Sequence, residues 1–163
     1  MKTEKAPHSD TWQWKAAPAY KNERLAYYQR QLLKKGITNR EHQKLLVAQL
    51  IQEAGSLSET TIGDGGCSFG ILQYNACVHH GMSAKNFLAK PQWKEWNDWR
   101  YQLDRMADMV AERYELYDGN IKLVVTHHNC PACAISPSDP KWGPIGRKYY
   151  GDVSKRLGLL TTL

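Results

Sequence analysis

Apolar residues return along much of this chain at three- and four-residue intervals, the spacing of helices with one buried face. Leu25, Tyr28 and Leu32 mark the first such stripe, and Gly36 supplies a stop behind it. The run "TNRE", Thr38 to Glu41, fits a capping box with Thr38 as N-cap and Glu41 reaching back, which predicts a helix running to about Ala54. Its stripe is Val47, Leu50, Ile51 and Ala54. Pro91 suits the first turn of a long helix, along which Trp96, Trp99, Leu103, Met106, Val110, Tyr114 and Tyr117 step on one face. A further helix is predicted from about Asn120, with Ile121, Val124, Val125 and His128 on one side and Pro131 ending it. After Pro144, Tyr149, Val153 and Leu157 recur at i, i+4 and i+8.

Only "CSFGILQYN" reads as β structure, and it has the length of a small hairpin strand. Gly63, Gly65 and Gly66 precede it and permit tight turns. The expected class is therefore α+β, mostly α, with about five to seven helices and one small β-hairpin. Residues 1–18 carry Pro7 and Pro18 but little periodicity and read as an N-terminal arm, leaving 19–163 as the folded domain. At 163 residues, one domain is the natural expectation, and a monomer with it. No internal repeat or low-complexity tract interrupts the chain.

The helix that Thr38 opens contains the first chemical anomaly. At 100° per residue Glu53 projects close to Leu46 and Leu50, at the edge of the apolar stripe. A carboxyl placed there loses hydration of its charged form, which suits a group that must hold and deliver a proton. The plainer alternative is a helix-end glutamate that swings into solvent or caps an amide. Asp64, in "IGDGG", is a candidate second carboxylate, or a simple turn residue. Glycosidases usually work with two carboxyls, so the pair points towards that chemistry. A phosphate-cradling reading of "GDGGCS" is weak, because no Gly-Lys-Ser/Thr follows.

The stretch "QLIQEAGSLSETTIGDGGCSFGILQYN" resembles the signature of the lysozyme-like superfamily: soluble lytic transglycosylases, goose-type lysozymes and related phage endolysins. There a helix ends in the catalytic glutamate, and a variable loop leads to a Ser-x-Gly-Leu-Met-Gln segment. Glu53 matches the acid, Ser68 the serine, Gly70 the glycine and Gln73 the glutamine. Asp64 falls where goose-type enzymes carry a Gly-Asp whose aspartate is proposed to position water. Asn75 stands where those enzymes have another acid, and Ala54 where the family usually has serine. The family's Tyr-Asn-Ala-Gly motif has a weaker counterpart in His128-Asn129-Cys130-Pro131, and its C-terminal tyrosine in Tyr149, with Val153 four residues on.

What the resemblance implies is a lysozyme-like fold whose hairpin lines a cleft. The implied activity is cleavage of the β-1,4 bond between N-acetylmuramic acid and N-acetylglucosamine in peptidoglycan. Glu53 would be the general acid and Asp64 a candidate base, while Ser68, Gly70, Gln73, Tyr74, Asn75, His128, Asn129 and Tyr149 would bind substrate. A lytic transglycosylase closes the muramoyl C6 hydroxyl on C1; an inverting muramidase activates water. Asp64 tilts towards the second and Asn75 towards the first. Backbone beside Gly70 would approach a sugar closely because no Cβ intrudes. No cofactor or resident metal is implied, and the partner is the glycan strand of the bacterial wall.

Charge and cysteines adjust this picture. The formal charge of +6 favours an anionic partner, whether wall polymer, membrane surface or nucleic acid. No nucleic-acid recognition motif accompanies it, and no nucleic-acid partner is expected. No run is long and apolar enough to span a membrane, and "MKTEKAPHSDTW" reads as neither anchor nor secretory leader. Cys67, Cys77, Cys130 and Cys133, with His79, His80, His127 and His128 nearby, leave three states open. These are disulfides (Cys67–Cys77, or a bridge from Cys67 to Cys130), free thiols, or zinc ligation, the last weakened by the spacing of the first pair. The tryptophans from Trp93 to Trp99 read as a core seam rather than a sugar platform. Two rival functions stay open beside the first: a module that binds peptidoglycan or chitin oligosaccharides without cutting them, and a chitinase-like enzyme.

Overall fold

The computed structural model describes residues 11–129, 131 and 145–162. The chain is α+β and mostly α, as the pattern predicts. Helix α1 (Ala19–Lys34) follows Pro18 and buries Leu25, Tyr28, Gln29 and Leu32, one stripe at helical spacing. Gly36, at φ 87°, turns the chain so that Ile37 N–H donates to the Leu32 carbonyl at 3.0 Å and its side chain enters the core.

Helix α2 (Arg40–Glu53) is capped one residue later than the capping-box reading proposes. Asn39, not Thr38, is the N-cap, and its side chain accepts from His42 N–H at 3.1 Å. Asparagine serves this position as well as threonine does. Gln43 and every residue from Leu46 to Ile51 are buried, so this helix is enclosed on nearly all sides over its second half. It packs against α1, the C-terminal helices described below, and the chain's last strand connection. Ala54 ends it and is itself buried.

The described part of the expected N-terminal arm is structured. Strand β1 (Trp12–Trp14) pairs antiparallel with the chain's final strand, Trp12 opposite Thr162 and Trp14 opposite Leu160. Two amides of α1 pin its free edge. Gln29 accepts from Trp12 N–H and donates to Trp12 C=O, at 2.7 and 2.8 Å, and Asn22 does the same for Trp14 at 2.8 and 3.2 Å. A side-chain amide presents donor and acceptor together, so it replaces a neighbouring strand. Hydrophobic periodicity carries no trace of this.

After α2, three short strands, β2 (Ile62–Gly63), β3 (Ser68–Phe69) and β4 (Tyr74–Asn75), form an antiparallel sheet in sequential order. Helices α3 (Ala76–His80) and α4 (Ala84–Leu88) follow. A disulfide joins Cys67 to Cys77, which ties the sheet's turn to α3; Cys130 and Cys133 lie outside the described residues. Phe69, Phe87, Tyr74, Trp93 and Trp96 stack beneath this sheet as a second, aromatic cluster, so Trp93 and Trp96 take the core role expected of them.

Pro91 opens a 3-10 segment, Pro91–Asn97, rather than the long helix. Asp98 has extended backbone and accepts from Arg100 N–H at 2.7 Å, so it caps a fresh helix, α5 (Trp99–Leu116). The break removes Trp96 from the predicted stripe and turns it into the aromatic cluster. Helix α6 (Ile121–Asn129) buries Val124, Val125 and Thr126, and α7 (Arg147–Lys155) buries Tyr149 and Val153. A 3-10 turn, Arg156–Leu159, leads to β5 (Leu160–Thr162).

Gly70 illustrates how tightly these parts meet. Its φ is 77°, and a Cβ there would overlap the amide of Gln102, which is buried on α5. That amide accepts from Ile71 N–H at 2.8 Å and donates to the carbonyls of Glu59 and Trp96. Gly36 has a similar φ but open space around it. Gly70→Ala is therefore expected to lower unfolding free energy by about 2–4 kcal/mol, adding displacement of a buried amide to backbone strain. Gly36→Ala should cost only about 1 kcal/mol. Equal losses in urea denaturation of the two variants would contradict the packing argument.

Candidate active site around Glu53

Because α2 is enclosed, its last carboxylate emerges between other elements rather than into open solvent. The Glu53 side chain is 25% exposed. Tyr149 of α7 donates its hydroxyl to Glu53 Oε1 at 2.5 Å, and His128 of α6 places Nε2 3.7 Å from Oε2. The first is a short hydrogen bond; the second is an electrostatic contact beyond direct bonding distance. Tyr149 is fixed from behind by Gln49, one turn before Glu53, whose amide donates to the phenol oxygen at 3.1 Å and to the Val125 carbonyl at 3.0 Å. Burial first, then the Glu53 charge and their hydrogen bond, raise the Tyr149 pKa far above the ordinary phenol value, so the phenol stays a donor.

Behind His128 stands Arg113 of α5, with Nη1 3.3 Å from Nδ1. A guanidinium has no acceptor, so Nδ1 must receive the proton and Nε2 must carry the ring's own. The imidazole is thus held neutral, its Nε2–H on the side of Glu53. Burial lowers the His128 pKa and Arg113 lowers it further, against the opposing pull of Glu53. Burial likewise lowers that of His127, whose Nδ1 lies 2.6 Å from the Tyr117 hydroxyl.

Two depressions flank Glu53. The larger, about 580 Å³, is lined by Leu72, Gln73, Tyr74, Asn75 and His79 on one wall, and by Met109, Glu112, Arg113, Leu116, His127 and His128 on the other. The smaller, about 320 Å³, is lined by Asn129, Ile145, Lys148, Tyr149 and Asp152. Glu53 lines neither, but it accepts from Tyr149 of the smaller and lies 3.7 Å from His128 of the larger. The larger falls within the size range of ligand pockets.

The sequence-predicted residues divide accordingly. Gln73, Tyr74, Asn75 and His128 line the larger depression, and Asn129 and Tyr149 the smaller. Asn75 also caps α3, accepting from Val78 N–H at 3.0 Å, and the Tyr74 hydroxyl meets His80 Nε2 at 2.8 Å. Gln73 donates to the carbonyls of Gly70 and Thr61, at 2.7 and 3.3 Å, bracing the sheet as well as lining the cavity.

Ser68 and Gly70 are placed elsewhere. Both are buried, Ser68 with its hydroxyl on Asp64 Oδ2 at 2.6 Å and Gly70 beneath Gln102, so neither lines either depression. The expectation that backbone beside Gly70 meets a sugar is corrected on that ground: its missing Cβ makes room for Gln102. Asp64 is exposed, at φ 52°, and is braced by Ser68, whereas Glu53 is held by Tyr149 and His128. The two carboxylates belong to separate hydrogen-bonded groups. Ala54 faces the core, so the site receives no side-chain donor from that position.

Sequence reasoning missed Gln49, Glu112 and Arg113. Gln49 gave a signal, being a polar residue one turn before Glu53 on an apolar helix. Arg113 and Glu112 gave none, since either reads as the solvated face of α5. Among the described residues no cluster of His, Cys, Asp and Glu is disposed to hold a metal ion. Compared with family models, with curated proteins and with solved structures, the chain matches none.

The lowered His128 pKa sets a pH dependence. As pH falls below about 6.5, the ordinary histidine value, the unfolded chain takes up this proton before the folded one does. The stability tied to neutral His128 is complete above that value and declines as pH drops towards the folded pKa. Urea midpoints compared at pH about 7.5 and about 5.5 should fall less steeply in His128→Asn than in the parent protein. Parallel slopes would show that His128 titrates alike in both states.

Proposed function

We propose that the protein cleaves the glycan strand of peptidoglycan, at the β-1,4 bond between N-acetylmuramic acid and N-acetylglucosamine, with Glu53 as general acid. The observation that carries this reading is one partly buried carboxylate bonded by a phenol and approached by a neutral imidazole, each of which lines a depression. A polysaccharide bound along Tyr149 and His128 would bring one glycosidic oxygen towards Glu53. The resemblance of the segment from Glu53 to Gln73, and the matching positions of His128 and Tyr149, supply the substrate class.

In this reading Glu53 protonates the leaving oxygen as positive charge develops on the ring. The Tyr149 hydroxyl holds the carboxyl in one rotamer and stabilises the carboxylate left after proton transfer. His128, being neutral at its Nε2–H, adds a dipole without the full charge that would draw Glu53 into an ion pair. Gln73 and Asn75 form a polar wall for the sugar, and Tyr74 an aromatic one. The strand of the bacterial wall is the partner, approached by a chain of net charge +6. No helix of the described residues is long and apolar enough to cross a membrane.

The attacking group at C1 decides the product. If the muramoyl C6 hydroxyl attacks, the Glu53 carboxylate takes its proton and a 1,6-anhydro end results; if water attacks, a base is required and Asp64 is the candidate. Mass spectrometry of muropeptides released by the protein should show a single product class, reduced by at least about a hundredfold in Glu53→Gln. Anhydro ends retained in Asp64→Asn would assign a lytic transglycosylase, whereas reducing ends lost in Asp64→Asn would assign a muramidase. Release of neither class would sink the enzymatic reading and leave glycan binding without cleavage. Turnover of chitin oligomers in place of peptidoglycan would favour the chitinase-like alternative.

A further inference from the structure

Arg113 is more than a support for His128. It lines the larger depression, half-buried, with one guanidinium donor on His128 Nδ1. Among the described residues it forms no ion pair, and its remaining donors make no hydrogen bond. A guanidinium has five N–H donors in a planar fork suited to a carboxylate. Burial lowers the Arg113 pKa, a sign that water is partly excluded around it. Leaving a charge partly desolvated and unpaired is unfavourable unless something completes the site.

The other polar groups of the cavity do not supply that completion. Glu112 is the adjacent residue on α5 and exposed, and it makes no ion pair with Arg113. His79 enters from α3, and His127 and His128 from α6; those on α6 have lowered pKa values and are neutral at pH 7. Tyr28, buried beneath, carries an unpartnered hydroxyl and gives no negative charge, because burial raises its pKa. The cavity therefore presents one cationic fork, with the exposed Glu112 carboxylate beside it and apolar Leu72, Met109 and Leu116 around it.

We propose that Arg113 is a recognition site for a carboxylate carried by the glycan, next to the bond that Glu53 cleaves. The inference rests on the glycan-cleaving reading and names what that reading leaves open, the feature by which peptidoglycan is told from chitin. Chitin has no carboxylate. Peptidoglycan offers one from two sources: the lactyl group of N-acetylmuramic acid where no peptide is attached, and the stem peptide where the lactyl carboxyl is already an amide. The Arg113 fork fits either.

Binding, measured by tryptophan fluorescence in the Glu53→Gln protein, separates these arms without turnover. Four probes of equal sugar number are needed: the peptide-free GlcNAc–MurNAc tetrasaccharide, the same compound with its lactyl carboxyls converted to methyl amides, the stem-peptide form, and chitotetraose. Adding Arg113→Met should weaken a carboxylate-bearing probe about tenfold or more and leave the amide and chitotetraose within about twofold. Arg113→Lys, which keeps the charge but not the fork, should fall between. Selective loss on the peptide-free tetrasaccharide assigns the lactyl carboxylate; selective loss on the stem-peptide form assigns the peptide. Equal weakening of all four probes, or none, overturns the recognition role while leaving glycan binding intact. Failure of any probe to bind the Glu53→Gln protein, with its thermal midpoint matching the parent, overturns the glycan reading and this inference with it.

Discussion

The structure turns on the enclosure of α2. Because the second half of this helix is covered by α1, α6, α7 and the C-terminal strand connection, the side chains there have little solvent to fall back on. Each polar group buried along it must find protein partners. Gln43 does so through the Ile37 carbonyl and Gln49 through Val125 and Tyr149. Glu53 is the last in this series and the only carboxylate of its final turn, so it collects a phenol from α7 and an imidazole from α6. The site is where a buried helix runs out, and the elements that bury it become the walls.

Neutral amides recur at the joints between the described elements. Gln29 and Asn22 close the edge of β1, Gln102 joins α5 to the small sheet and to the 3-10 segment before it, and Gln73 braces the sheet turn. An amide satisfies a donor and an acceptor at once without the desolvation penalty of a charge. That choice keeps the interior near Glu53 free of competing ions: Asp64, the other acid of the motif region, is occupied by Ser68 at an exposed turn. Glu53 and Arg113 stand on opposite sides of His128.

How far the sequence could be read depended on whether a residue's environment came from its own helix or from elsewhere. Stripes such as Leu25, Tyr28 and Leu32 are properties of one helix, so the helices and the edge position of Glu53 were legible. The joints were not. Thr38 and Asn39 are both good caps in adjacent positions, and the choice falls to packing of the whole helix. Asp98 restarts a helix that Pro91 was expected to begin, because an acidic cap after a 3-10 turn outweighs a proline at the start. Strand β1 is built by Gln29, Asn22 and β5, none of them its neighbours in sequence. In the site, the motif positions Gln73, His128 and Tyr149 were legible, whereas Gly70 was assigned to the wrong partner. Its lack of a side chain was correctly read as room for something, but that something is Gln102.

The Arg113–His128–Glu53 order has a consequence for proton traffic. Arg113 can only donate, so it fixes the histidine proton on the nitrogen that faces the acid. A histidine in the other tautomer would present a lone pair to Glu53 and repel its carboxylate form. In the proposed reaction, the ring so fixed would favour the carboxylate once the proton has left for the glycosidic oxygen, which is when stabilisation counts. Before that moment, an incoming carboxylate on the substrate would offset the Arg113 charge and weaken the positive field reaching Glu53 through His128. Substrate recognition at one end of the array and proton release at the other would then be coupled through a single imidazole, over two contacts of 3.3 and 3.7 Å. A glycan without that carboxylate would leave the Arg113 charge without an offset, and would be a poorer substrate for that reason as well as for lack of grip.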